Sequence, residues 1–195
     1  VNDQTVSLIL DSLGPLLRAT VTSTIPLTLV SFVLGLALAL GVALMRLSSL
    51  RVVSGIARVY VSLIRGTPLL LQLWLLYFGL GSLFPQFPWI RDSFLWPILR
   101  QAWPYGLLAL TLSFAAYEGE VMRGAFAGVP RGQLEGGRAF GMSRFTIFRR
   151  VWLPQAFFRA LPTLTGETVL QLKATPLVAT ITMMDIYGVA SRVRQ

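Results

Sequence analysis

Long apolar runs, each fenced by charged residues, set the pattern of this chain. Between Arg18 and Arg46, residues 19–45 carry no charge. A helix over that run would reach roughly 40 Å, more than the ~30 Å hydrocarbon core of a bilayer demands. Pro26 is placed to kink it near its start. Residues 66–90 are again uncharged and predict a second span over 62–84, with Pro85, Pro88 and Trp89 turning the chain at the interface. Residues 101–117 form a third, shorter uncharged run, and Trp96, Trp103 and Tyr105 fall where an interfacial aromatic belt would lie. Residues 161–184 are apolar but hold Glu167 and Lys173, which predicts a fourth, partly polar span. The pattern is that of an all-α polytopic membrane protein, read as one domain over 1–195.

The stretch 118–159 breaks this rhythm. It carries Glu118, Glu120, Arg123, Arg131, Glu135, Arg138, Arg144, Arg149, Arg150 and Arg159, and reads as a hydrophilic connection with structure of its own. Arg46, Arg51, Arg58 and Arg65 follow the first span without an acid among them. Cytoplasmic loops collect Lys and Arg, so 46–65 and 118–159 are expected in the cytoplasm and the N-terminus outside. Arg192 and Arg194 run against that rule. Arg65 reads by default as a headgroup anchor, and Glu120 with Arg123 as a local ion pair one helical turn apart.

Composition sharpens the membrane reading. The chain is 54% hydrophobic and 13% charged, whereas soluble domains carry about 25% charged residues. Its net charge of +9 could suggest nucleic acid, but the arginines sit between apolar runs, where they suit anionic lipid headgroups instead. Cysteine and histidine are both absent, which removes disulfides, thiolate chemistry, most zinc sites and imidazole acid–base catalysis. Residues 1–18 hold Asp3 and Asp11 ahead of Arg18, unlike the basic start of a signal peptide.

Within 118–159 the run Gly132-Gln-Leu-Glu-Gly-Gly-Arg-Ala-Phe-Gly-Met-Ser is the most informative. Pro130 can open a short helix and Gly141 can end it in a left-handed cap. Gly136, Gly137 and Gly141 permit close backbone approach, with Glu135 and Arg138 beside them. Ser143 can cap the next helix, whose Phe145, Phe148 and Trp152 would share an apolar face. Such a segment has the makings of a docking knob.

These residues resemble the Glu-Ala-Ala motif of bacterial ABC importer permeases, in which a glycine follows the glutamate by six positions and an Ile-x-Leu-Pro closes the segment. Here Glu135 precedes Gly141, and Val151-Trp-Leu-Pro154 closes it, with Gly136 and Gly137 in place of the two alanines. Arg65-Gly-Thr-Pro-Leu-Leu-Leu-Gln, Tyr77-Phe-Gly-Leu, Ala116-Tyr117, Glu120, Arg123-Gly124 and Leu153-Pro-Gln-Ala156 are similar to the polar amino-acid branch, closest to its histidine, arginine and opine members. Leu172-Lys-Ala-Thr-Pro-Leu177 departs from that branch at Ala174 and Pro176.

The resemblance implies an importer-type permease bundle with a cytoplasmic coupling helix. Four spans are visible, and a fifth is expected beyond the chain end. Gln133, Glu135, Gly136, Gly137, Arg138, Gly141 and Pro154 would engage the ATPase. The implied partners are ABC ATPase subunits, a second permease subunit (identical or related), a periplasmic or extracellular substrate-binding protein, the bilayer and an amino-acid substrate, without nucleic acid. The implied location is the bacterial inner membrane. A phosphate-cradling loop needs a Gly-Lys-Ser/Thr run, and Lys173, the sole lysine, follows Leu172. No cofactor is therefore expected in this chain, with ATP and magnesium held by the ATPase.

Glu167, Lys173 and Asp185 are candidates for the substrate path, because ionisable groups at membrane depth usually face protein or water. Lys173 could equally snorkel to the headgroups, and Asp185 could lie at the outer interface. Thr165, Thr168, Thr175, Thr180 and Thr182 either add hydroxyls to that path or bind helix to helix. An intramembrane enzyme would have only carboxylates, serines and one lysine for its chemistry, and a channel or scaffold would need no ATPase.

Overall fold

The computed structural model describes residues 13–181, and among them every regular element is helical. Helix α1 runs unbroken over Leu13–Arg46. The helix continues through Pro26. A π turn, Thr20–Thr24, lies just ahead, where Ile25 N–H reaches back to the carbonyl of Thr20. That widened turn absorbs the missing N–H and the ring of the proline.

The stretch after α1 is a helix rather than the expected loop. Helix α2 covers Arg51–Gly66. Arg51, Arg58 and Arg65 recur every seventh residue along it, while Ser54, Ala57 and Val61 form its buried stripe. It is tied down at both levels: Ser54 Oγ donates to the carbonyl of Arg46 at 3.3 Å, and Tyr60 Oη donates to that of Leu112 at 2.6 Å. Thr67 and Pro68 are extended and end it, as a residue before proline is pushed out of the helical region. Gln72 Nε2 then bridges the break, donating to the carbonyls of Ile64 (2.8 Å) and Thr67 (3.0 Å) and to Thr67 Oγ1 (3.0 Å).

Helix α3 therefore starts later than expected, running over Leu69–Gln86 in place of 62–84. The chain turns at the extended Phe87, inside the turn expected over Pro85–Trp89, and single helical turns follow at Pro88–Arg91 and Trp96–Leu99. By length and composition, α1 and α3 are apolar enough to cross a membrane.

Helix α4, Trp103–Ala127, is the central post and continues past the expected end at Tyr117. It buries residues on most of its faces, among them Gly106, Ala109, Ser113, Ala116, Glu118 and Gly119. Its small residues let α1 come close. A Cβ on Gly119 would stand 2.8 Å from Val42 Cγ1, and one on Gly35 would stand 2.7 Å from Phe114 Cδ1.

The expected connection 118–159 thus resolves into three parts: the last turns of α4, a short helix α5 over Arg131–Ala139, and the start of α6. Arg144–Ile147, a π turn Phe148–Trp152 and Leu153–Ala174 form α6 (144–174), which replaces a span expected to begin at residue 161. A 3-10 run, Thr175–Ile181, follows. Two apolar cores hold the bundle. One gathers Leu27, Leu73, Tyr105, Leu110 and Val178. The other gathers Ala39, Met122, Phe126, Ala160 and Leu164, and α5 is packed beneath it through Leu134.

Candidate functional site

Helix α5 is held by its neighbours and capped at its end. Gly141 adopts φ +72°, the left-handed conformation expected of it. Gly141 N–H bonds to the carbonyl of Arg138 (2.9 Å) and Met142 N–H to that of Gly137 (3.0 Å), the paired bonds of a Schellman cap. Ser143 caps α6 as expected, its Oγ accepting from Thr146 N–H at 3.2 Å.

Beneath α5, Phe126, Phe148 and Trp152 form an aromatic knot. Phe126 and Phe148 stack at 6.3 Å, Trp152 meets Phe126 edge-on at 5.1 Å, and Trp152 Nε1 donates to the carbonyl of Phe126 at 3.0 Å. Phe145 does not join them. It is 69% exposed, because the π turn rotates Phe148 and Trp152 inward without it.

The outer surface of α5 presents Arg131, Gln133, Glu135 and Arg138 to solvent, flanked by Phe140, 87% exposed. Gly136 is half-buried with open space where a side chain would go. Gly137 differs from the open glycine pictured from sequence: a Cβ there would stand 3.0 Å from Ile147 Cγ1, so its bareness serves packing inside the chain. Pro154 lies apart from α5, in the first turn of the Leu153–Ala174 segment. The π turn before it, closed by Leu153 N–H to the carbonyl of Phe148, accommodates its ring as the first π turn accommodates Pro26.

Close by, Glu120 forks between two arginines. Arg123 Nε binds Oε2 at 2.9 Å, as the local ion pair predicted, and Arg46 Nε binds Oε1 at 2.7 Å. The second partner, at the end of α1, is invisible to local spacing. Arg65 lies over the ring of Tyr117, its guanidinium carbon 5.1 Å from the centroid.

A cavity of about 300 Å³ opens between α4 and α6, lined by Leu69, Ser113, Tyr117, Glu167 and Gln171 among others. Glu167 therefore stands at a cavity wall. Lys173 is exposed and outside that lining, since six residues along a helix turn it to another face. Asp185 and Thr182 lie outside the described residues. Thr165, Thr168 and Thr175 donate to carbonyls of their own helix at 2.7–2.8 Å, which satisfies them locally. Thr180 does tie two elements, accepting from Trp74 Nε1 of α3 at 3.3 Å, and Gln171 ties three helices, its Nε2 donating to Ser31 Oγ at 3.1 Å and to the carbonyl of Leu110 at 3.4 Å. Glu118, which sequence reasoning did not single out, is fully buried, with no hydrogen-bond partner for either oxygen.

The family described as binding-protein-dependent transport system inner membrane component matches residues 31–192. The chain belongs to this family of permeases. An octopine transport system permease protein of Rhizobium radiobacter is 46% identical over 85% of this chain and 66% of its own length. A nopaline transport system permease protein of Agrobacterium fabrum is 41% identical over 96% of this chain and 76% of its own. An arginine ABC transporter permease protein of Haemophilus influenzae is 40% identical over 84% and 70%. The chain thus spans about two thirds of the length of the octopine permease.

Among solved structures, an amino acid ABC transporter crystallised with histidines superposes with a TM-score of 0.77 at 29% identity, covering 100% of this chain and 83% of that one. An inward-facing methionine ABC transporter shares the fold, with a TM-score of 0.61 at 17% identity, covering 98% and 82%. The all-α importer-type permease fold expected from the sequence is the fold of this chain.

Proposed function

We propose that this permease is the membrane-spanning subunit of an ATP-driven importer for polar amino acids, with basic amino acids and opines the favoured classes. The observation that carries the reading is α5: a short helix locked at its C-terminus by Gly141, pinned from below by Leu134, and turning Glu135 and Arg138 outward. A lever of this kind transmits force only if it cannot flex against its own bundle. The names of the octopine, nopaline and arginine permeases support the solute class.

In this mechanism a substrate-binding protein delivers the solute at the outer face. Two ATPase subunits close on ATP and magnesium, which they alone hold, and their motion reaches the bundle through Gln133, Glu135, Gly136 and Arg138. Gly137, Gly141 and Pro154 shape the lever from within. A second permease subunit, identical or related, completes the path, and Glu167 lines it at the cavity. The α5 side faces the cytoplasm and the N-terminus lies outside, in the bacterial inner membrane.

The test uses the full-length permease assembled with its ATPase and binding protein in liposomes. Glu135→Lys and Gly141→Trp are each expected to abolish solute-stimulated ATP hydrolysis and uptake while the complex still inserts. Wild-type uptake in both variants would sink the reading, as would autonomous turnover by the permease alone.

A further inference from the structure

A cavity of about 600 Å³ opens at the junction of α1 and α2, lined by Ser48, Ser49, Arg51, Ser54, Arg58 and Val59 among others. It sits at the basic end of α1, since Ser54 Oγ donates to the carbonyl of Arg46. The neighbouring arginines are engaged: Arg46 holds Glu120 and Arg65 lies over Tyr117. Arg51 and Arg58 are exposed, and among the described residues no acidic side chain pairs with either. Seven residues set them about 10 Å apart along the helix axis. Two long, flexible side chains can converge on one anion across that distance. Gly55 lies between them in sequence, with open space where a side chain would stand. Ser48 Oγ accepts from Leu50 N–H at 3.2 Å, which leaves its own proton to donate.

Beside this basic edge runs an apolar one. Val52, Ile56, Val59 and Leu63, spaced four, three and four residues apart, share one face of α2, and each is more than half exposed. The helix packs on the bundle through a different stripe, Ser54, Ala57 and Val61. Val59 belongs to both edges, lining the cavity and standing in the exposed stripe. A free inorganic anion would use the arginines and leave the stripe bare. A second copy meeting this face symmetrically would set arginine against arginine. An anionic phospholipid satisfies both edges: its phosphate suits the guanidinium forks, and its acyl chain covers the stripe as it would on an amphipathic interfacial helix.

We propose that the α1–α2 junction is an inner-leaflet site for an anionic phospholipid. The phosphodiester sits between Arg51 and Arg58, with the Ser48 and Ser49 hydroxyls toward the headgroup, and one acyl chain lies along Val52, Ile56, Val59 and Leu63. The leaflet follows from the cytoplasmic orientation proposed above. The site itself does not depend on which solute the permease carries.

The test equilibrates the solubilised full-length permease–ATPase complex with equal amounts of phosphatidylglycerol and phosphatidylcholine bearing the same acyl chains, and counts retained lipids by native mass spectrometry. The wild type is expected to prefer phosphatidylglycerol at least about tenfold, from two arginines worth roughly fivefold each. Arg51→Gln and Arg58→Gln should each cut that ratio about threefold to fivefold, and the double variant should bring it within about twofold of unity. Arg149→Gln with Arg150→Gln, which removes two exposed arginines elsewhere, should leave the ratio unchanged. Ile56→Ser with Val59→Ser should weaken both lipids several-fold while keeping the preference. An undiminished ratio in the Arg51/Arg58 double variant would overturn the proposal, and so would an equal fall in the Arg149/Arg150 variant, the mark of diffuse charge. Displacement of the lipid by inorganic phosphate at equal concentration would make this a free-anion site and overturn it too. Halved permease stoichiometry in the Ile56/Val59 variant would make the stripe a contact between subunits, again against the proposal. Solute uptake by the reconstituted wild type is measured in parallel: its failure removes the importer reading, while the lipid ratio stands or falls by itself.

Discussion

Two neighbouring stretches of α4 treat polar groups in opposite ways. Toward α5 the polar groups find partners. Arg46, Glu120 and Arg123 close a three-member ion network, Trp152 caps the carbonyl of Phe126, and Gly141 lets α5 end with its last carbonyls bonded. Two residues before Glu120, Glu118 is fully buried without a hydrogen bond to either carboxylate oxygen. A region built to pass on movement is saturated, because any slack would absorb the stroke. Glu118, by contrast, carries an uncompensated cost of burial.

Removing the aromatic knot would damage the saturated end most. Phe126→Ala is expected to cost about 3–5 kcal/mol, read as a drop in the thermal unfolding midpoint and as new protease cleavage around 131–141. Gly119→Leu should rank next, at about 1–3 kcal/mol of overpacking against Val42, read in the same unfolding assay. Ser143→Ala removes the cap of α6 for about 1 kcal/mol, a small loss that should loosen hydrogen exchange over the first turn of α6 alone. Smallest of all, Glu135→Gln on the exposed face should leave stability within about 0.5 kcal/mol of wild type while reducing solute-stimulated ATP hydrolysis. A large stability loss there would show that Glu135 belongs to the frame of the knob and not to its working surface.

Much of this was legible in the chain. The first span, the turn at Pro85–Trp89, the glycine cap at Gly141, the Ser143 cap and the Glu120–Arg123 pair all follow from local rules and stand in the structure. What escaped was set by partners distant in sequence. Charges at Glu118, Glu120 and Arg123 read as the edge of a span, yet Arg46 neutralises Glu120 from another helix and α4 continues to Ala127. The run of arginines between the first two spans reads as a loop, although the sevenfold spacing of Arg51, Arg58 and Arg65 carries the helical signal of α2. Glu167 and Lys173 were grouped because they are charged and near in sequence, but helical rotation separates them. Glu118 had one available sign, an acid enclosed in the small-residue run Phe114-Ala-Ala-Tyr-Glu-Gly, and that sign was outweighed by its nearness to the charged segment.

The fork at Glu120 has a mechanical corollary. Because one carboxylate grips the end of α1 and its own helix together, and Gly35 and Gly119 let Phe114 and Val42 of the facing helix seat directly on the backbone, α1 and α4 make a single stiff mast. Helix α6 packs on that mast through Ala156, Ala160 and Leu164 and carries a proline midway. The stroke entering at α5 would then swing α6 like a boom about a fixed upright, and α1 would hardly stir.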